Sequence, residues 1–240
     1  PQVTYLVNTR CCIALNLRIL RLKGGSKASP WKQTLEAKDL VLKVLLYTFS
    51  AGIRICSIKL ASISGRTLNS GQSCIAAKRF IVAKDIADEF SRIFAEETSK
   101  LVVGDPMDMK TDVGPLVNKE GLAAIEVQVN DAVSKGAKIL AGGKRLERKG
   151  YFYKPTVLSS IRMDMKVVTE EVFGPVAPII IVDSEEEAIK IANNTEFGLG
   201  ASVWTSNESK GLEMAKRIEV GDVFINSIVK SDPRMPFGGI

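Results

Sequence analysis

The sequence predicts an α/β protein with a wound, mostly parallel sheet and flanking helices. Two observations carry that prediction. Residues 178–182 form a continuous apolar run bounded by polar residues, as expected for a strand covered on both faces. From about residue 65 onward, short strand-like runs alternate with amphipathic stretches of helical period, the signature of a parallel sheet with crossover helices. Composition agrees: 240 residues, 45% hydrophobic and 25% charged, describe an ordinary globular chain long enough for a substantial core.

Taken in order, residues 79–82 read as a short buried strand. Residues 85–101 read as a helix with Ile86, Phe90, Ile93, Phe94 and Leu101 on one face. Gly104-Asp105-Pro106 ends that element and opens a loop to Gly114-Pro115. Residues 119–135 form a second amphipathic helix carrying Leu122, Ile125, Val129 and Val133, stopped by Gly136 and followed by a strand at 137–140. A polar hairpin or loop runs from Gly142 to Gly150. Ser184-Glu185-Glu186-Glu187 is a capping-box signature opening a helix to about Asn193. Strands at 199–204 and 222–226 flank a helix at 207–218. Residues 1–64 follow no such order: helix-like and strand-like runs overlap, and only a helix around 40–48 is predicted. The chain therefore divides into a divergent leader, 1–64, and an ordered α/β domain, 65–240.

Charge follows the same division. The net charge is +6, yet residues 1–60 hold ten Lys/Arg against Glu36 and Asp39, leaving the remainder slightly acidic. Neither interleaved aromatics nor a helix-turn-helix pattern accompanies those cations, so no nucleic-acid partner is expected. The apolar stretch 40–63 is broken by Lys43, Arg54 and Lys59 and does not read as a membrane span. No cleavable signal is read at the N-terminus, and a reducing, cytoplasmic setting is expected.

The chain contains no histidine. Cys-His pairs, Ser-His-Asp triads and histidine-ligated zinc are thereby excluded within it. Cys11, Cys12, Cys56 and Cys74 show no paired metal-binding spacing, and no metal is expected. Cys74 differs from the others because it follows a glycine turn, Asn69-Ser70-Gly71-Gln72-Ser73-Cys74. Residues 75–78 could form a first helical turn that favours a thiolate, and Gly71 would let the backbone turn tightly and leave amides free to face a reacting oxygen. The competing reading is a small buried hydrophobe. A cysteine without an imidazole suits an already electrophilic carbon such as an aldehyde, provided a nicotinamide accepts the hydride. Glu171, in Glu170-Glu171-Val172-Phe173-Gly174-Pro175, could accept hydrogen bonds from a ribose, and Phe173 offers a flat surface. A solvated helix end before a Gly-Pro turn is the alternative there. The run Asp232-Pro233-Arg234-Met235-Pro236-Phe237-Gly238-Gly239 is a rigid loop, functional or merely a turn.

Taken jointly, these segments resemble the aldehyde dehydrogenase superfamily. The first two motifs are joined by Asn193-Asn194-Thr195-Glu196-Phe197-Gly198-Leu199, Gly221-Asp222-Val223-Phe224-Ile225-Asn226 and Pro236-Phe237-Gly238-Gly239, all in the family's order. The wording at Ser231-Asp232-Pro233-Arg234 is similar to the succinate-semialdehyde dehydrogenase branch. The resemblance implies Cys74 as the nucleophile that forms a thiohemiacetal and then a thioester, its own amide being half of the oxyanion hole. It implies Glu171 as the holder of the nicotinamide ribose and Phe173 as the aromatic against the nicotinamide, with NAD or NADP as cofactor. Ser231 and Phe237 would line the pocket for a small-molecule aldehyde, and Asn226 would support that loop. The sequence also departs from the family. The nearest match to its Glu-Leu-Gly-Gly motif is Leu22-Lys23-Gly24-Gly25, with leucine in place of the general-base glutamate. The glycine-containing dinucleotide turn, expected near Val7-Asn8 and Cys12, is not found. Most of the cofactor domain would precede residue 1, and the oligomerising strand through which the family forms homo-oligomers would follow residue 240. Either a working dehydrogenase or a relative keeping only the fold would read this way.

Overall fold

Among the described residues, eight strands in the order β1-β8-β7-β2-β3-β6-β5-β4 form one sheet in the computed structural model. The model describes the backbone of Ile19–Leu20, Leu42–Leu46 and 55–240, with side chains from Ala61 onward. The strands are β1 (Ile19–Leu20), β2 (Leu42–Leu46), β3 (Ala77–Ala83), β4 (Lys138–Ala141), β5 (Thr156–Ser159), β6 (Val176–Val182), β7 (Gly200–Trp204) and β8 (Asp222–Ile225). All neighbours from β8 to β5 run parallel; only the edge pairs β1–β8 and β4–β5 are antiparallel. The helices are α1 (Ile55–Thr67), α2 (Lys84–Ser99), α3 (Lys119–Ser134), α4 (Lys166–Thr169), α5 (Glu185–Asn193) and α6 (Glu208–Ala215). The mostly parallel α/β class read from the sequence is the class observed.

Alternation along each strand divides the core between two faces. Phe80 and Val82 of β3, Ala177 and Ile179 of β6 and Phe224 of β8 meet Ala87, Phe90 and Phe94 of α2. Ile81 of β3, Ile180 of β6, Val203 of β7 and Val223 of β8 meet Leu122, Ile125, Ala188, Ile189 and Met214 on the other side. Such two-sided cover is why β6 reads as an unbroken apolar run. The helix starts follow their caps: Asn118, Ser184 and Asn207 side chains accept from the amides of Gly121, Glu187 and Lys210. Gly136 leaves α3 at φ +100°, as a helix stop requires.

Three local expectations change. The helix predicted around 40–48 is instead the central strand β2, paired on both sides with β3 and β7. Periodicity cannot separate a short buried strand from a buried helical segment, and the open slot between two parallel strands decides for the strand. Residues 75–78 form no helical turn: the Ala76 amide closes a tight turn onto the Ser73 carbonyl at 3.0 Å, and β3 begins at Ala77. The strand β5 and the short α4 were not foreseen. The residue readings that concern Cys11, Cys12, Leu22 and the Cys56 side chain lie outside the described residues.

Candidate active site

The segment before Cys74 is a run of left-handed backbone. Asn69, Ser70 and Gly71 have φ of 49°, 57° and 75°. Two of these are not glycine, a conformation that needs outside support. The loop 114–117 supplies it: Ser70 Oγ donates to the Gly114 carbonyl (3.1 Å), Gln72 Nε2 to Pro115 (3.3 Å), and the Val117 amide donates to Gln72 Oε1 (2.7 Å). Gly71 is required for space as well as for φ, since a Cβ there would strike the Gly174 carbonyl. Cys74 follows as a half-buried free thiol. Its amide is engaged by no hydrogen bond among the described residues.

The Gly71–Gly174 approach already brings the second motif against the first. Gln128 of α3 holds that motif from behind, donating to the Glu171 carbonyl (3.1 Å) and to Glu170 Oε2 (3.2 Å). The Glu171 side chain is turned inward, 13% exposed, and its Oε1 is buried without a hydrogen-bond partner. The Phe173 ring remains 41% exposed.

Two buried cations sew the segments together. Arg66, at the end of α1, donates to the carbonyls of Ala77 (2.5 Å), Gly71 (2.6 Å) and Val172 (3.4 Å). Lys78 donates to Ser73 (3.1 Å) and Val172 (3.0 Å), lies 3.9 Å from Glu171 Oε1, and stands 4.0 Å over the Phe173 ring. Their burial has electrostatic consequences. Desolvation holds Arg66 down to about 9 despite Glu171. Lys78 is pushed down by burial first and by the Arg66 charge second, against the pull of Glu171 and Cys74. Glu171 is pushed up by burial, opposed by Lys78 and Arg66.

The third segment, 227–240, runs back along β8. Asn226, at φ 52°, fixes its start by exchanging hydrogen bonds with the backbone of Thr205 (2.9 Å each). Asp232 braces the loop by accepting from Arg234 Nε (2.9 Å) and Nη2 (2.6 Å), which holds its carboxyl well below the usual range. Phe237 is half-buried against the apolar cluster that also takes Ile75, next to Cys74. Ser231 is exposed. Through Lys78 the structure links the Ser73–Cys74 peptide to Glu171 and Phe173. It relates Phe237 to them through a shared apolar patch, and it records no bridge from Ser231.

All three segments lie at the same end of the strands. The turn of Cys74 precedes β3, the Glu171–Phe173 motif precedes β6, and Gly238 lies over Gly221, just ahead of β8. These strands are mutually parallel through β2 and β7, so the site lies at their amino ends. No group of three or more His, Cys, Asp or Glu poised for a metal occurs among the described residues. Among the described residues, no helix is long and apolar enough to cross a membrane.

Residues 59–240 match the family model described as the aldehyde dehydrogenase family. The chain belongs to that family. Among its relatives, the NADP(+) succinate-semialdehyde dehydrogenase of Mycobacterium leprae (strain TN) is 51% identical over 179 residues, covering 75% of this chain and 39% of the relative. The chain therefore spans about two fifths of the length of the curated relatives it matches. Among solved structures, a succinic semialdehyde dehydrogenase from Streptococcus pyogenes, in complex with NADP+, superposes with a TM-score of 0.78 at 33% identity over 85% of this chain and 44% of that one. An E. coli NADP-dependent enzyme gives 0.79 at 32% identity over 85% and 41%.

Within this aldehyde dehydrogenase fold, sequence reasoning missed Arg66 and Lys78. A signal for Lys78 existed: Lys78-Arg79 interrupts an otherwise apolar strand, and cations in such a place need a reason. Arg79 has a different one. Its guanidinium donates to the carbonyls of Ile191 (3.2 Å), Ala192 (3.1 Å) and Asn194 (3.4 Å) at the C-terminus of α5.

Proposed function

We propose that this chain carries the nucleophile and ribose-side residues of an NAD(P)-linked aldehyde oxidation, with succinate semialdehyde as the leading substrate. The observation that carries the reading is the docking of the Cys74 turn against the Glu171–Phe173 segment. The substrate and the preference for NADP are supported by the relatives: the Mycobacterium leprae protein is a succinate-semialdehyde dehydrogenase [NADP(+)], and the Streptococcus pyogenes one was solved with NADP+. The residues fit such a cofactor. Glu171 Oε1 is a buried acceptor lacking a donor, as a ribose hydroxyl would be, beside an exposed aromatic face.

In this reading Cys74 Sγ adds to the aldehyde carbon, and its amide faces the developing oxyanion. The chemistry that a bound nicotinamide supplies is acceptance of the hydride leaving that adduct. What remains on Sγ is a thioester, which water opens to the carboxylic acid and the free thiol. Glu171 holds the ribose and Phe173 bounds the ring, while Ser231 and Phe237 line the aldehyde side.

The test is NADPH and NADH formation from succinate semialdehyde and short aldehydes. Cys74→Ala should lower the rate by at least about 1,000-fold; a rate that survives this substitution overturns the reading. A second reading, a relative that keeps the fold without turnover, is favoured by Leu22 at the position of the general-base glutamate. Rapid alkylation at Cys74 with no reduced nucleotide formed would establish it, and full turnover would remove it.

A further inference from the structure

We infer that Lys78 is a positioning residue that aims the Cys74 amide and docks the Glu171–Phe173 segment against the cysteine turn. This deepens the reading of Cys74 given above and rests on it.

A lysine with its side chain 2% exposed is costly to bury, so the groups that receive its ammonium matter. All of them belong to the site. Two donors are spent on the carbonyls of Ser73 and Val172, and the rest of the ammonium faces Glu171 Oε1 and the Phe173 ring. The Ser73 contact is the informative one: that carbonyl also accepts from the Ala76 amide at 3.0 Å, and Lys78 is the side chain that donates to it. The Ser73 carbonyl and the Cys74 N–H belong to the same planar trans peptide and point in opposite directions. Drawing that carbonyl inward onto a buried ammonium aims the Cys74 N–H outward, toward a reacting oxygen. The Val172 contact fixes the Val172–Phe173 peptide in the same manner. The backbone is shaped for this: the register of β3 against β2 slips between Leu42↔Ala77 and Lys43↔Arg79, a bulge that holds Lys78. Bulges of this kind re-aim a side chain beside functional sites. Among the described residues Arg66 braces Gly71, Ala77 and Val172 and makes no hydrogen bond to the Ser73–Cys74 peptide, so the two cations are not redundant. The charged or titratable groups facing Lys78 are Arg66, Glu171 and Cys74.

The experiment compares two reactions of Cys74 on the full chain. Acylation by p-nitrophenyl acetate develops an oxyanion and needs an aimed amide; alkylation by iodoacetamide develops none. Lys78→Met, checked for folding by circular dichroism and urea denaturation, should lose acylation by about 10-fold or more beyond any loss of alkylation. Equal losses in both reactions, or none in either, overturn the proposal. Should Lys78→Met fail to fold, Lys78→Leu, which also lacks a donor, carries the same test, and an unchanged acylation-to-alkylation ratio in a folded Leu variant overturns it. Neither probe needs nicotinamide or aldehyde, and Cys74→Ala is the control. Acylation that persists in Cys74→Ala refutes the assignment of Cys74 and, with it, the role of Lys78; acylation that depends on Cys74 while ignoring Lys78 refutes only the latter.

Discussion

Glu171 is a carboxyl whose surroundings oppose its charge, and that opposition has a measurable sign. Burial raises it from 4.5 to about 7, with Lys78 and Arg66 pulling the other way. A group whose folded-state pKa lies above its unfolded value holds its proton more tightly when folded. Its stabilising contribution is therefore complete below about pH 4.5 and is lost as the pH rises through about 7. Glu171→Gln removes this dependence. Between pH 4.5 and 7.5 the urea midpoint of the parent chain should fall relative to that of the Gln variant, and a constant difference would contradict the assigned burial. Cys74, Glu171 and Phe173 were legible as candidates because each stands in a turn-forming motif of unusual wording. Lys78 was not, because a lysine inside a strand acquires meaning only when the carbonyls around it are known.

Adjacent residues of one strand can serve two separate elements, and β3 shows it. Lys78 serves the cysteine turn, while Arg79 caps the C-terminus of α5. Helix C-termini leave carbonyls unsatisfied, and a buried guanidinium is well shaped to collect them. Arg79→Met should destabilise the fold by roughly 3 kcal/mol, since buried acceptors would be left without donors. Urea denaturation measures that loss, and the alkylation rate of Cys74 in the folded variant should stay within about 2-fold of the parent because the cap touches none of the site. Elements with strong punctuation, such as α3 between Asn118 and Gly136 or α5 after Ser184, were readable within a few residues. The segment of β2 was not, because five residues interrupted by Lys43 carry no periodicity of their own and take their state from their neighbours.

At the scale of the molecule, Arg66 links α1, the cysteine turn, the start of β3 and Val172, a residue 106 positions away in the chain. Removing such a buried, hydrogen-bonded cation should be far more damaging than removing a surface one. Arg66→Met is expected to cost about 3–5 kcal/mol in urea denaturation and to slow Cys74 acylation in the folded fraction; a loss below about 1 kcal/mol would show that the clamp is not structural. The sequence alone determined the family and the parallel α/β class, and it singled out Cys74 as the candidate thiol, because these are written in ordered motifs and in apolar runs with the period of their elements. Tertiary structure alone decided that Glu171 turns inward, that β2 completes the sheet, and that Arg66 and Lys78 join the two motifs. The physical reason is the same in each case: burial and long-range hydrogen bonding depend on which distant carbonyls and strands a residue meets, and local sequence does not specify them.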